Sequence, residues 1–209
     1  ESLSAKPDLA TLERNVLSLG ELLGVPAQAR EQMAAYRQQL QATTERLQQL
    51  FAGLDMPAWQ VYASPEQHYR MRAEFRIWHE DETLHYAMFA PGQKAGSASL
   101  IRLSDFPPAS AAINALMPRL LAAVSASPVL KQRWYQVEFL STLSGDMLVS
   151  MIYHKKLDDT WQAEAEALQQ ALGIRLIGRS KGQKRVLAQD YVTEVLAADG
   201  REWQYRKPE

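Results

Sequence analysis

Hydrophobic and polar positions alternate most regularly over residues 68–79, His-Tyr-Arg-Met-Arg-Ala-Glu-Phe-Arg-Ile-Trp-His. In a strand, successive side chains point to opposite faces. Tyr69, Met71, Ala73, Phe75 and Ile77 then share one face, and Arg70, Arg72, Glu74, Arg76 and Trp78 share the other. The first face can enter a core. The second is charged, and its plainest reading is a solvated surface with a Glu74 salt bridge. A polar turn at 80–83 leads to a second short strand at 84–89, so the two form a hairpin, and 100–103 can extend the sheet.

Longer periodicities surround this hairpin. Leu9, Leu12, Val16, Leu19 and Leu22 recur at helical spacing after Pro7-Asp8, and Gly24-Val25-Pro26 breaks that helix. A second helix is expected from about 27 to 50, with Tyr36, Leu40, Leu47 and Leu50 as its stripe, ended by Gly53 and Pro57. Asp105 or Ser104 should cap a helix entered through Pro107-Pro108, burying Ile113, Leu116, Leu120 and Val124, with a kink or a shift of register at Pro118. Strands at 134–140 and 147–154 flank a turn at 142–146. Simple alternation puts Tyr135, Val137 and Phe139 on one face, opposite Gln136 and Glu138. Asp158 or Asp159 caps a helix with Trp161, Ala165, Leu168 and Leu172 inward, and Gly173 closes it. A strand at 174–177, a basic turn at 178–185 and strand candidates at 186–187 and 202–205 follow. The expected fold is α+β: an antiparallel sheet built from hairpins, helices packed on one side, and an N-terminal helical segment. The division expected is a helical segment at 1–52 and an α+β domain at 53–209.

Composition sharpens this by exclusion. With 209 residues, 46% hydrophobic, 22% charged and a net charge of −1, the chain reads as an ordinary globular protein, and any nucleic-acid site must be a local patch. The absence of cysteine excludes disulfides, thiolate metal sites and a cysteine nucleophile. No apolar run is long enough for a membrane span, no signal peptide is visible, and a cytoplasmic location is expected. The first residue is Glu rather than Met, which suggests a fragment. No Gly-rich nucleotide loop and no H-E-x-x-H occurs. His68, His79, His85 and His154 fit no metal spacing, so no metal is expected.

The chemistry that remains is cationic and aromatic. Arg70, Arg72 and Arg76 lie on one strand, and Arg179, Lys181, Lys184 and Arg185 lie in one turn. His154-Lys155-Lys156 ends another strand, and Lys131 and Arg133 adjoin Trp134 and Tyr135. Cations beside exposed rings can hold phosphates while a base stacks, as folded RNA loops require.

These segments also resemble a known family. Residues 68–79, Phe139-Leu-Ser-Thr-Leu-Ser, Tyr153-His-Lys-Lys-Leu-Asp-Asp, Leu176-Ile-Gly-Arg, Asp190-Tyr-Val and Tyr205-Arg206 resemble, in order and spacing, the bacterial tRNA (uracil-5-)-methyltransferases, which make 5-methyluridine in the T-loop of tRNA. The resemblance runs from about Tyr36 to the end and leaves 1–34 outside it. It implies an N-terminal, RNA-engaging part of the family. The S-adenosylmethionine domain, with its catalytic cysteine, is expected to lie beyond this sequence. No cofactor is then expected in this chain, and its enzymatic status alone stays open. The resemblance makes Arg76 a loop-engaging arginine, puts Tyr135 where the family has a stacking phenylalanine, and places His154 and Lys155 in a Tyr-His-Lys segment that contacts RNA. The expected RNA-binding set is Arg70, Arg72, Arg76, Tyr135, His154, Lys155, Arg179, Lys181 and Lys184, and the expected partner is the tRNA T-arm. The alternative is a free-standing interaction or RNA-binding module without catalysis, pairing with a partner through its N-terminal helices.

Overall fold

In the computed structural model the described residues are 13, 16–18, 25–55, 65 and 67–209. The chain divides into two units, at residues 1–64 and 65–209.

In the first unit, residues 13 and 16–18 are helical, while the rest of the Leu9–Leu22 stripe lies outside the described residues, as does Pro57. Helix α1 spans Pro26–Leu50, with proline in its first turn, where no amide hydrogen is missed. The Tyr36-Leu40-Leu47-Leu50 stripe is not its buried face. Ala29 and Met33, one turn apart, are buried, whereas Tyr36 and Leu50 are exposed. Arg37 pairs with Glu13.

The second unit is a seven-stranded sheet in the order β3-β2-β1-β4-β5-β6-β7. The strands are β1 (Arg72–Glu80), β2 (Thr83–Phe89), β3 (Leu100–Leu103), β4 (Trp134–Ser141), β5 (Met147–Tyr153), β6 (Arg175–Ser180) and β7 (Gln183–Val186). Neighbours are antiparallel except β5 and β6, which are parallel. That pair is joined by helix α3 (Asp159–Leu172), because parallel strands need a crossover connection. Helix α2 (Ala111–Ala126) precedes β4.

Both helices lie on one face. Ile113, Leu116, Leu120 and Val124 of α2, with Trp161, Ala165 and Leu168 of α3, share a core with Phe75, Val137, Phe139, Val149 and Leu176 from the sheet. Phe75 is its aromatic hub, with Tyr86, Phe106 and Phe139 at 5.7, 5.4 and 6.1 Å between ring centroids. Asp158 caps α3, its carboxylate accepting from the Trp161 amide at 2.8 Å, and Gly173 ends the helix in the left-handed region at φ 66°.

Strand β1 begins at Arg72, later than the alternation from 68 suggests. The main chain before it is taken by another segment. The His68 and Arg70 amides donate to Pro107 and Pro108 carbonyls at 2.8 and 2.9 Å, and the Ser110 amide donates to the Arg70 carbonyl at 2.7 Å. The same segment moves the cap of α2 from Asp105 or Ser104 to Ser110, whose hydroxyl accepts from the Ile113 amide at 3.2 Å. Asn114 holds residues 106–110 outside the helix by accepting from the Phe106 amide and donating to the Phe106 and Ala109 carbonyls. Helix α2 runs unbroken through Pro118, which is exposed, so water can serve the carbonyl that the missing amide leaves over.

Among the described residues of this unit, a hairpin covers one end of the opposite face of the sheet. Strands β8 (Tyr191–Ala198) and β9 (Arg201–Pro208) form a separate hairpin, and Val192 packs with Leu140, Leu148 and Ile177. Buried Glu194 fastens this hairpin to the β4–β5 turn. It accepts from the Leu143 and Ser144 amides, each at 3.1 Å, and from Lys207 Nζ at 2.7 Å. Arg72, Glu74, Arg76 and Trp78 remain on the accessible part of that face.

Candidate nucleic-acid interface

The centre of the accessible face is a three-layer stack. The Arg76 guanidinium lies 4.2 Å from the centre of the Tyr135 ring. The His154 imidazole is stacked on the same ring, with centroids 3.8 Å apart and planes 23° apart. Strand β4 lies between β1 and β5, so Arg76 and His154 approach Tyr135 from opposite flanks and cover its two faces. The arrangement joins a cation–π contact to a ring stack on a surface open to solvent.

Tyr135 reaches this face through a backbone irregularity. Trp134 pairs with Tyr153 and Gln136 with Ile152, so Tyr135 is an extra residue in β4. Such a bulge re-aims a side chain. It corrects the simple alternation that put Tyr135 with Val137 and Phe139. Trp134 takes the core side and is fully buried, while Tyr135 joins Arg76 on the other. Arg133, just before it, has a left-handed backbone at φ 56°, and its carbonyl accepts from the His154 amide at 3.0 Å. The bulge and the end of β5 are thereby tied together.

Beside the stack lies an apolar pocket of about 390 Å³ lined by Arg76, Trp78, Phe89, Ala95 and Tyr135. Trp78 and Phe89 meet edge to face at 6.5 Å. Phe89 and Ala95 had no signal in the sequence. They come from β2 and the following loop; Ala87 lies opposite Arg76, and Phe89, two residues on, shares its face of the sheet. A second depression, of about 550 Å³, opens on the other side of His154.

The other expected site residues have varied surroundings. Arg70 is exposed, with its guanidinium 5.8 Å from its neighbour Tyr69's ring. Arg72 pairs with Glu138 at 3.1 Å. Glu74 forms no salt bridge among the described residues, contrary to the simplest reading of the strand, because Glu138 on β4 is directly opposite it and takes Arg72 instead. Lys155 turns inward, donating to the Val129 carbonyl at 2.7 Å and to Gln132 at 3.3 Å. Burial lowers its pKa, against the pull of Asp158. Arg179 makes two hydrogen bonds to Glu209, at 2.7 and 2.6 Å, and Lys184 pairs with Asp190 and Glu209 at 2.9 and 3.1 Å. Burial alone would raise the Glu209 pKa, but hydrogen bonds from Arg179, Ser150 and Lys184 hold it down at about 2. The segment 178–185 is a β-hairpin rather than a loop, and only Lys181-Gly182 forms its turn. Lys181 is exposed there.

Of the nine residues, then, the fold brings Arg76, Tyr135 and His154 into one cluster. His79 and His85 do not face each other as a ligand pair. His79 contacts the Trp134 carbonyl at 2.6 Å, and His85 lies 3.6 Å from Glu80. Among the described residues there is no group of three or more His, Cys, Asp or Glu that could hold a metal ion, and no helix long and apolar enough to cross a membrane.

Residues 35–209 match the model of a family described as tRNA (Uracil-5-)-methyltransferase. A tRNA/tmRNA (uracil-C(5))-methyltransferase of Neisseria meningitidis serogroup B is 62% identical over 177 residues, covering 85% of this chain and 49% of the relative. Proteins of the same description from Pseudomonas putida and Acinetobacter baylyi are 53% and 50% identical, covering 84% and 83% of this chain and 48% of each relative. The chain therefore spans about half the length of the curated relatives it matches.

Proposed function

This chain belongs to the tRNA (uracil-5-)-methyltransferase family, and from that premise we propose that it holds the T-arm of tRNA and presents the T-loop uridine to a separate catalytic domain. The observation that carries this reading is the Arg76–Tyr135–His154 stack on an open sheet face. RNA loops are read by splaying out bases and stacking them on aromatic rings and guanidinium planes. Tyr135 offers the ring, Arg76 the charged plane, and the Trp78–Phe89 pocket a second apolar place beside them. Both faces of Tyr135 are covered in the free protein, so a base that stacks on it replaces one layer. His154 is the exposed, detachable layer, and Arg76 stays as the cation.

The glycines around α3 do not form a cradle for S-adenosylmethionine, the methyl donor implied by the family. A nucleotide cradle needs glycine backbone open to the ligand at a helix start. Gly178 is filled by the Trp161 indole, Gly173 ends a helix, and the start of α3 is closed by the Asp158 carboxylate. No chemical step is assigned to this chain. In this reading its part is substrate holding, with methyl transfer left to the separate catalytic domain.

Fluorescence anisotropy with a labelled T-arm stem-loop tests this, beside a hairpin of identical stem and unrelated loop. The T-arm should bind more tightly, and both affinities should fall between about 50 and 200 mM salt, as phosphate contacts require. Equal affinity for the two loops, or no binding at low salt, would contradict the reading.

A further inference from the structure

The cations around the β6–β7 hairpin have different fates. Arg179 and Lys184 are held by Glu209 and Asp190, and Arg185 by Asp159 and Gln162. Lys155 is committed to the Val129 carbonyl. Lys156 and Lys181 differ: neither is paired with a carboxylate among the described residues. Both line the depression of about 550 Å³ that begins at His154.

The polar groups in the walls of that depression are already used. Ser180 Oγ donates to the Lys155 carbonyl, and Gln183 Oε1 accepts from the Leu157 amide at 2.9 Å. The neighbouring acid, Asp158, caps α3. Two ammonium groups and the His154 imidazole are left to meet a ligand, which suits an anion. Lysine acts on phosphate as a mobile point charge, without the planar fork that reads base edges. His154 belongs both to this depression and to the Tyr135 stack, so one strand can occupy the two places in succession.

We propose that this depression is a phosphate subsite, in which Lys156 and Lys181 neutralise backbone phosphates of the RNA strand leaving the Tyr135 stack. This rests on the reading of the stack as an RNA site. It replaces inward-turned Lys155 with Lys156 as the RNA-facing lysine of its segment, and it selects Lys181 from the basic hairpin. Contacts of this kind position the strand and carry no sequence information.

The test is the salt dependence of binding for the native chain and for the Lys156→Gln/Lys181→Gln double variant. Lys94→Gln, a change at an exposed lysine of the β2–β3 loop, serves as control. Removing one lysine–phosphate interaction should lower the slope of log K against log salt by about 0.7–0.9. The double variant should therefore have a slope shallower by about 1.4–1.8 and should weaken T-arm and unrelated-loop hairpins by the same factor, while Lys94→Gln changes neither. A native chain that binds RNA with a slope unaltered by the double variant overturns the subsite alone. A native chain that binds neither RNA overturns the reading of the stack and the subsite with it.

Discussion

The guanidinium of Arg76 lies 4.2 Å over the ring of Tyr135, although strict alternation assigns these residues to opposite faces of the sheet. The extra residue at the start of β4 reconciles the two: Trp134 goes into the core and Tyr135 turns out to meet Arg76. A single bulge thus sets a buried indole and an outward-facing phenol side by side in the chain. It also leaves the Tyr135 ring covered from both flanks.

If a base replaces the imidazole on Tyr135, His154 should report it. In the free chain its ring is 3.8 Å from the Tyr135 ring, close enough for the aromatic ring current to shift its proton resonances. Titration with the T-arm stem-loop, followed by NMR, should move the His154 carbon-bound protons towards unstacked positions. Unchanged His154 resonances at RNA saturation would mean that the base is received elsewhere.

Gly178 should not tolerate alanine. A Cβ there would collide with the Trp161 ring, and that indole is fully buried between α3 and the sheet. Overpacking of this kind costs about 1–3 kcal/mol. Urea unfolding of Gly178→Ala should show a lower midpoint with an unchanged slope, the product of slope and midpoint shift matching that loss. Alanine at Gly182, a turn position with open space around it but a φ of 72°, meets only backbone strain. It should cost about 1 kcal/mol.

Glu194 gives the β8–β9 hairpin a pH-dependent fastening. Burial would raise its pKa, but hydrogen bonds from Lys207 and the Leu143 and Ser144 amides outweigh this and lower it from the ordinary 4.5. A carboxylate depressed in the folded state adds stability above its unfolded pKa and loses it as pH falls through the folded value. Stability should therefore decline on acidification below about 4.5, partly through this residue. Glu194→Gln should be less stable at neutral pH and show a shallower acid decline in denaturation midpoints measured from pH 7 to 3. An identical acid profile in the variant would remove Glu194 from that role.

Local chemistry made much of the fold legible. The α2 stripe of Ile113, Leu116, Leu120 and Val124, the Asp158 cap and the Gly173 stop depend on a few adjacent residues, and the structure has them where the pattern put them. The late start of β1, the cap at Ser110 and the parallel β5–β6 pair depend on segments far apart in sequence, such as 68–70 against 107–110. The interface divides in the same way. Arg76 stands out from alternation alone. The outward turn of Tyr135 requires two flanking strands, and the tying of Arg179 and Lys184 requires Glu209, thirty and twenty-five residues further on. A basic run in sequence does not reveal which of its charges are already answered.

The most direct test of the Tyr135 stack as the RNA-receiving site is T-arm affinity for Tyr135→Ala beside Tyr135→Phe. Stacking of one base contributes about 1–3 kcal/mol, equivalent to a roughly 5- to 150-fold change in affinity. Tyr135→Ala should lose that much while keeping the native salt slope, and Tyr135→Phe, which retains the ring, should bind like the native chain. Full affinity in Tyr135→Ala, with the fold intact by circular dichroism, would contradict the assignment.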